Sequence, residues 1–114
     1  MALIYKIVTA ALWREALAAG RLEGMPVDHA DGYIHFSSAG QLRQTAAKHF
    51  AGQDDLVLIA VEADRLGPAL RWEPSRGGAL FPHLYAPLPT ALAVLAEPLP
   101  LGADGHHLFA QDIP

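Results

Sequence analysis

Leu56 to Ala63 (LVLIAVEA) is a run of eight residues with seven apolar positions, entered from a loop at Gly52. It is too short for a typical helix and has no polar face, so it predicts a central strand buried on both sides. Such a strand exists only inside a folded core. The chain can supply one: 52% of its residues are hydrophobic and 18% charged, with a mean hydropathy of +0.20, richer in apolar residues than a disordered chain. At 114 residues it fits a single domain.

The other elements alternate around that strand. Leu3 to Val8 (LIYKIV) reads as a strand, and Thr9 is placed to cap a helix over Ala10 to Ala19, with Gly20 as its stop. Trp13, Ala16 and Leu17 recur at helical spacing along its inner stripe. Residues 21–32 read as a loop leading through Asp31-Gly32 to a strand, Tyr33 to Ser37. Its alternation sends Tyr33, His35 and Ser37 to one face and Ile34 and Phe36 to the other. Ser38 with Gln41 fits a capping box opening a second helix to about Phe50, with Leu42, Ala46, His49 and Phe50 on one face.

Leu70 to Glu73 predicts a strand stopped by Pro74, and Ser75 to Ala79 a flexible connection through Arg76. Phe81 to Pro89 carries three prolines in nine residues and must be extended. Thr90 to Ala96 predicts a last strand, and residues 101–114 a turn at Asp104-Gly105 with a loose tail. The expectation is one α+β domain with an ordered core over residues 3–100.

Composition also excludes functions. Charges such as Lys6, Arg14, Glu15 and Arg21 interrupt every apolar run well short of the ~20 residues that span a bilayer. No secretory leader pattern opens the chain and cysteine is absent, so a cytoplasmic location is expected. The net charge is −4, and the eight Lys and Arg are scattered, so a long nucleic acid is not an expected partner. A small anionic ligand is still compatible with local donors.

Three segments gather the polar residues that can carry chemistry: Asp31 to Gln41, Trp72 to Arg76 and Phe81 to Tyr85. His35, beside Ser37, has the imidazole that proton transfer or a ribose hydroxyl requires; the alternative is a histidine bonded to nearby backbone. Ser37 and Ser38 can donate to a ligand, although Ser38 and Gln41 serve equally as a helix cap. Glu73, between Trp72 and Pro74, is expected to be desolvated, with its pKa raised; otherwise it is an exposed edge glutamate. His83 and Tyr85, two apart in an extended segment, share a face and present rings to a planar ligand. His35, His83 and Glu73 have the composition of a two-histidine, one-carboxylate metal site, yet no HxxxH or HxH spacing supports it, and no metal is expected.

DGYIHFSSAGQ (31–41), WEPS (72–75) and FPHLYAPL (81–88), in this order, resemble the bacterial family called domain of unknown function 952. That family is similar in fold to the ADP-ribosyltransferases and RNA 2′-phosphotransferases. The resemblance implies a small split β-sheet of five or six strands with two main helices, and a cleft that binds NAD or an ADP-ribose-like nucleotide, NAD then being a substrate. It places Lys6 where many relatives carry a ribose-binding histidine, puts His35, Ser37 and the start of the second helix on the ligand side, and gives Glu73 an orienting or charge-stabilising role. Trp72 or Tyr85 becomes the stacking platform.

Four functions follow: an NAD-dependent transferase, a binding module without catalysis, an RNA 2′-phosphotransferase and a partner-binding protein docking through FPHLYAPL. The scattered positive charge argues against the third.

Overall fold

The computed structural model describes residues 2–75 and 77–109; Arg76 and residues 110–114 of the expected tail lie outside them. β5 (Leu56–Glu62) is the strand that the apolar run requires. It pairs antiparallel on one side with β1 (Leu3–Thr9) along its whole length and on the other with β9 (Ala93–Pro98). With β4 (Ser37–Ser38) on the far side of β1, the sheet order is β4-β1-β5-β9.

Both faces of β5 are covered, as a strand without a polar face demands. Leu58 and Ala60 meet Leu42 and Ala46 of α3 (Ala39–His49) on one side. Ile59 and Val61 pack on the other against Trp13 and Ala16 of α1 (Ala10–Ala19), and against Ile34, Phe36 and Leu84. Thr9 caps α1 by accepting from the Leu12 N–H at 3.2 Å, and Gly20 ends it in the left-handed region at φ 83°. Leu17, expected inward, is exposed, as is His49 on α3.

The expected loop over 21–32 is largely structured. It holds β2 (Arg21–Leu22) and α2 (Pro26–Asp31), with Pro26 at the first helical position, where its fixed φ suits a helix start. The strand expected from Tyr33 to Ser37 is cut at Phe36. β3 (Ile34–His35) pairs with β7 (Ala79–Leu84), whereas β4 pairs with β1, so the chain passes from one sheet to another in three residues.

β6 (Leu70–Ser75) runs through Pro74 instead of stopping before it, because β6 is the edge of the β3-β7-β6 sheet, where a missing donor is tolerated. β8 (Leu88–Pro89) pairs with β2. Thr90–Leu92 is a 3₁₀ turn, so the last strand starts later than expected. The described strands number nine, in sheets of four, two and three, more than the five or six expected. Residues 101–109 make a turn, bridged at Leu101 and His107, and the His107 Nε2–H donates to the Gln53 carbonyl at 2.9 Å. Among the described residues no helix is long and apolar enough to cross a membrane.

Candidate functional site

The short helix α2 delivers one buried carboxylate, and much of the site is arranged around it. Asp28 is 2% exposed, and four donors meet its two oxygens. The Met25 N–H at 2.6 Å and the Lys6 ammonium at 3.0 Å reach Oδ2, while the His35 N–H at 3.0 Å and His35 Nδ1 at 2.6 Å reach Oδ1. Burial alone raises a carboxylate pKa, but the His35 bond, the Lys6 charge and the two backbone donors outweigh it and hold Asp28 well below the usual range. Gly24, at φ 119°, lets the chain pass so close that a Cβ there would stand 2.8 Å from the Asp28 Cβ.

Lys6, on β1, is buried; Asp28 and the His35 carbonyl, at 2.9 Å, take its protons. Burial pushes its pKa down, and the Asp28 charge and hydrogen bond oppose that. The Lys6 ammonium is therefore built into the wall.

His35 stands between two carboxylates, Nδ1 on Asp28 and Nε2 2.9 Å from Asp31 Oδ2. Its cross-strand partner in β7 is His83, and the rings meet edge to face with centroids 5.4 Å apart. Tyr33 lies against both, at 4.6 Å from His35 and 4.2 Å from His83, and 5.1 Å from Tyr85.

His83 is buried, and its Nδ1 lies 2.8 Å from Glu73 Oε1, the oxygen that also accepts from the Tyr85 hydroxyl at 2.7 Å. The expected rise in the Glu73 pKa is corrected. Trp72 and Pro74 alternate to the opposite face of β6 and cannot desolvate it. What meets Glu73 is first the Tyr85 hydroxyl and then His83, two donors that stabilise the charged form and lower the pKa.

His35 and His83 open on a cleft of about 510 Å³ between α3 and the Met25–Val27 segment. Tyr5, Ile7, Met25, Val27, Phe36 and Phe81 give it apolar walls, and Lys6, Asp31, Ser37, Thr45 and the two histidines give it polar points. A small number of polar groups in an apolar concavity of this size is the usual form of a small-molecule site. Ser37 is buried on the wall with its Oγ 2.8 Å from Thr45 Oγ1; since the Thr45 proton goes to the Gln41 carbonyl, Ser37 donates to Thr45.

The remaining expected site residues stand apart from the cleft wall. Ser38 begins α3 and its N–H donates to Gln41 Oε1 at 3.0 Å, while Gln41 Nε2 donates to the Leu80 carbonyl at 2.8 Å. Both residues act as the helix cap. Trp72 is 44% exposed on the face opposite Glu73, so it does not stack beside that carboxylate. Tyr85 borders a smaller depression with Tyr33, Glu23 and Pro87, its ring beneath the Arg71 guanidinium at 5.1 Å. Among the described residues no three His, Asp or Glu side chains are arranged to hold a metal ion.

Sequence reasoning missed Asp28. Its signal lay in MPVDHADG: a proline at a helix start, an acid two residues on and a glycine stop.

Comparison with known proteins adds kinship to this geometry. A family model described as "Protein of unknown function (DUF952)" matches residues 7–96. The crystal structure of protein CC0527 from Caulobacter crescentus is 55% identical, covers 93% of each chain and superposes with a TM-score of 0.90. A crystal structure of a double mutant of that protein is 53% identical with the same coverage and a TM-score of 0.90. Its solution NMR structure is 56% identical over 93% of this chain and 91% of that one, with a TM-score of 0.84. No curated protein matches the chain.

Proposed function

The chain belongs to the DUF952 family of proteins of unknown function, and with no activity to inherit we propose that its cleft binds a nucleotide of the NAD or ADP-ribose type and presents two oriented imidazoles to it. The observation that carries this reading is the His35–His83 pair. Two histidines from distant segments are cross-strand partners, line one half-apolar cleft, and each have Nδ1 on a carboxylate. A carboxylate on Nδ1 makes that nitrogen the donor; His35 Nε2 faces Asp31 on the cleft wall at 2.9 Å. In His83 the Nε2 has no hydrogen-bond partner among the described residues.

The ligand class draws on the volume and the walls. A cleft of about 510 Å³ with apolar sides and the rings of Phe36, Phe81, His35 and His83 on its walls suits a planar base with an attached sugar. The ADP-ribosyltransferase-like assignment of the fold belongs to the same proposal, supported by the way the chain divides between two sheets at Phe36 beside the cleft.

In a transferase, nicotinamide would depart through an oxocarbenium-like state. Glu73, held ionised by Tyr85 and His83, is in the right state to favour positive charge and to orient His83, and in the wrong state to donate a proton. Asp28 orients His35 in the same sense.

A binding module without catalysis is the second reading, favoured by Lys6, whose ammonium is spent on Asp28 and the His35 carbonyl. A thermal-shift titration with NAD, ADP-ribose, nicotinamide and AMP separates these outcomes. A ligand at 100 times its dissociation constant stabilises by about 2.7 kcal/mol. The expected result is a shift with NAD or ADP-ribose that His35→Ala and His83→Ala abolish. Turnover lost in Glu73→Gln with binding retained supports the transferase, binding with no product on long incubation supports the module, and no shift at millimolar ligand sinks both.

A further inference from the structure

Asp31 closes α2 one residue before Gly32, and its carboxylate stands half-exposed on the cleft wall. Oδ2 lies 2.9 Å from His35 Nε2, and Oδ1 has no hydrogen-bond partner among the described residues. The last turn of a helix is where the peptide dipole disfavours a carboxylate, so the helix end itself does not favour the acid there. Lys6, the lysine among the described lining residues, has its ammonium committed to Asp28 and the His35 carbonyl. Asp28 and Glu73 add negative charge behind the two imidazoles. An anionic group arriving beside His35 thus meets a carboxylate of like charge, whereas a pair of hydroxyls meets an acceptor.

We propose that Asp31 determines specificity in the cleft by accepting hydrogen bonds from the hydroxyls of an unphosphorylated ribose and rejecting a ribose phosphorylated there. This rests on the nucleotide reading given above. An acidic side chain is a recurrent partner of a ribose 2′-hydroxyl because it accepts without needing a proton of its own. Here that side chain stands on the cleft wall, 2.9 Å from His35 Nε2. With the ribose hydroxyls on Asp31, a 2′-phosphate would stand against the carboxylate, while a 5′-phosphate would sit at the other end of the sugar.

The test is calorimetric titration of the full chain, as wild type, Asp31→Asn and Asp31→Glu, with ADP-ribose and with the isomers adenosine 5′-monophosphate and 2′-monophosphate. The isomers carry the same phosphate and differ in its place. Wild type is expected to bind ADP-ribose and prefer the 5′ isomer, Asp31→Asn to lose on the order of tenfold of that preference, and Asp31→Glu to keep most of it. Asp31 is half-exposed, so neither variant threatens the fold. ADP-ribose binding without a preference between isomers, or with one unaltered in Asp31→Asn, overturns the role of Asp31 alone. Failure of wild type to bind any of the three compounds overturns the nucleotide reading and this inference with it.

Discussion

Asp28 Oδ1 lies 2.6 Å from His35 Nδ1, joining the short helix α2 to the strand β3 across the turn at Gly32. The same carboxylate holds the Lys6 ammonium at 3.0 Å, so one buried acid fixes a strand, a helix and the imidazole facing the cleft. Its role is both structural and positioning, and its removal is expected to register in stability and in the site.

Asp28→Asn is expected to destabilise the chain by roughly 3–5 kcal/mol, because it leaves the Lys6 ammonium buried without a counter-charge. Urea unfolding measures it. Lys6→Met in the same chain should restore much of the loss, since both charges are then gone; a double variant as unstable as Asp28→Asn alone would show that the pair is not coupled.

Acid should act through the same group. Folded Asp28 stays ionised well below the usual range, while the unfolded chain protonates it near pH 3.9. The unfolded state then binds more protons, so the stability from Asp28 is complete above about pH 4 and is lost as pH falls below it. Unfolding curves from pH 5 downward should lose up to about 1.4 kcal/mol per pH unit from this group, a component missing in Asp28→Asn. Glu73 acts in the same direction, through its bonds from Tyr85 and His83.

The elements that periodicity and capping control were legible in the sequence. Thr9 and Gly20 bound α1, Ser38 and Gln41 cap α3, and the apolar run is the central strand buried on both faces. So were the segments that converge, because His35, His83 and Glu73 meet across the β3-β7-β6 sheet. What the sequence hid depends on contacts between segments. The change of sheet at Phe36 falls inside a uniform alternating stretch, and the direction of the Glu73 pKa depends on Tyr85, twelve residues away. Asp28 read as one acid in a loop, since burial and four donors are properties of the fold.

Gly24→Ala is expected to cost roughly 1–3 kcal/mol or more, from an L residue forced into a disfavoured backbone region and from a Cβ set 2.8 Å from the Asp28 Cβ. Gly52→Ala, also at positive φ but with nothing within 4 Å, should cost less. Equal losses in thermal or urea unfolding would show that the Asp28 contact is not what Gly24 serves.

Gln41→Ala separates capping from ligand contact. Losing the bonds to the Ser38 N–H and the Leu80 carbonyl should cost about 0.5–2 kcal/mol, with any ligand-induced thermal shift unchanged in size. A smaller ligand shift would return Gln41 to the binding site.

The most direct test of the cleft as a nucleotide site is a ¹H–¹⁵N NMR titration of the full chain with ADP-ribose, following every assigned amide. Saturable shifts are expected at cleft residues such as Val27, Asp31, His35, Thr45 and His83, and their loss in His83→Ala. Shifts confined to the outer face around Trp72 and Leu80, or none at millimolar ligand, would contradict it.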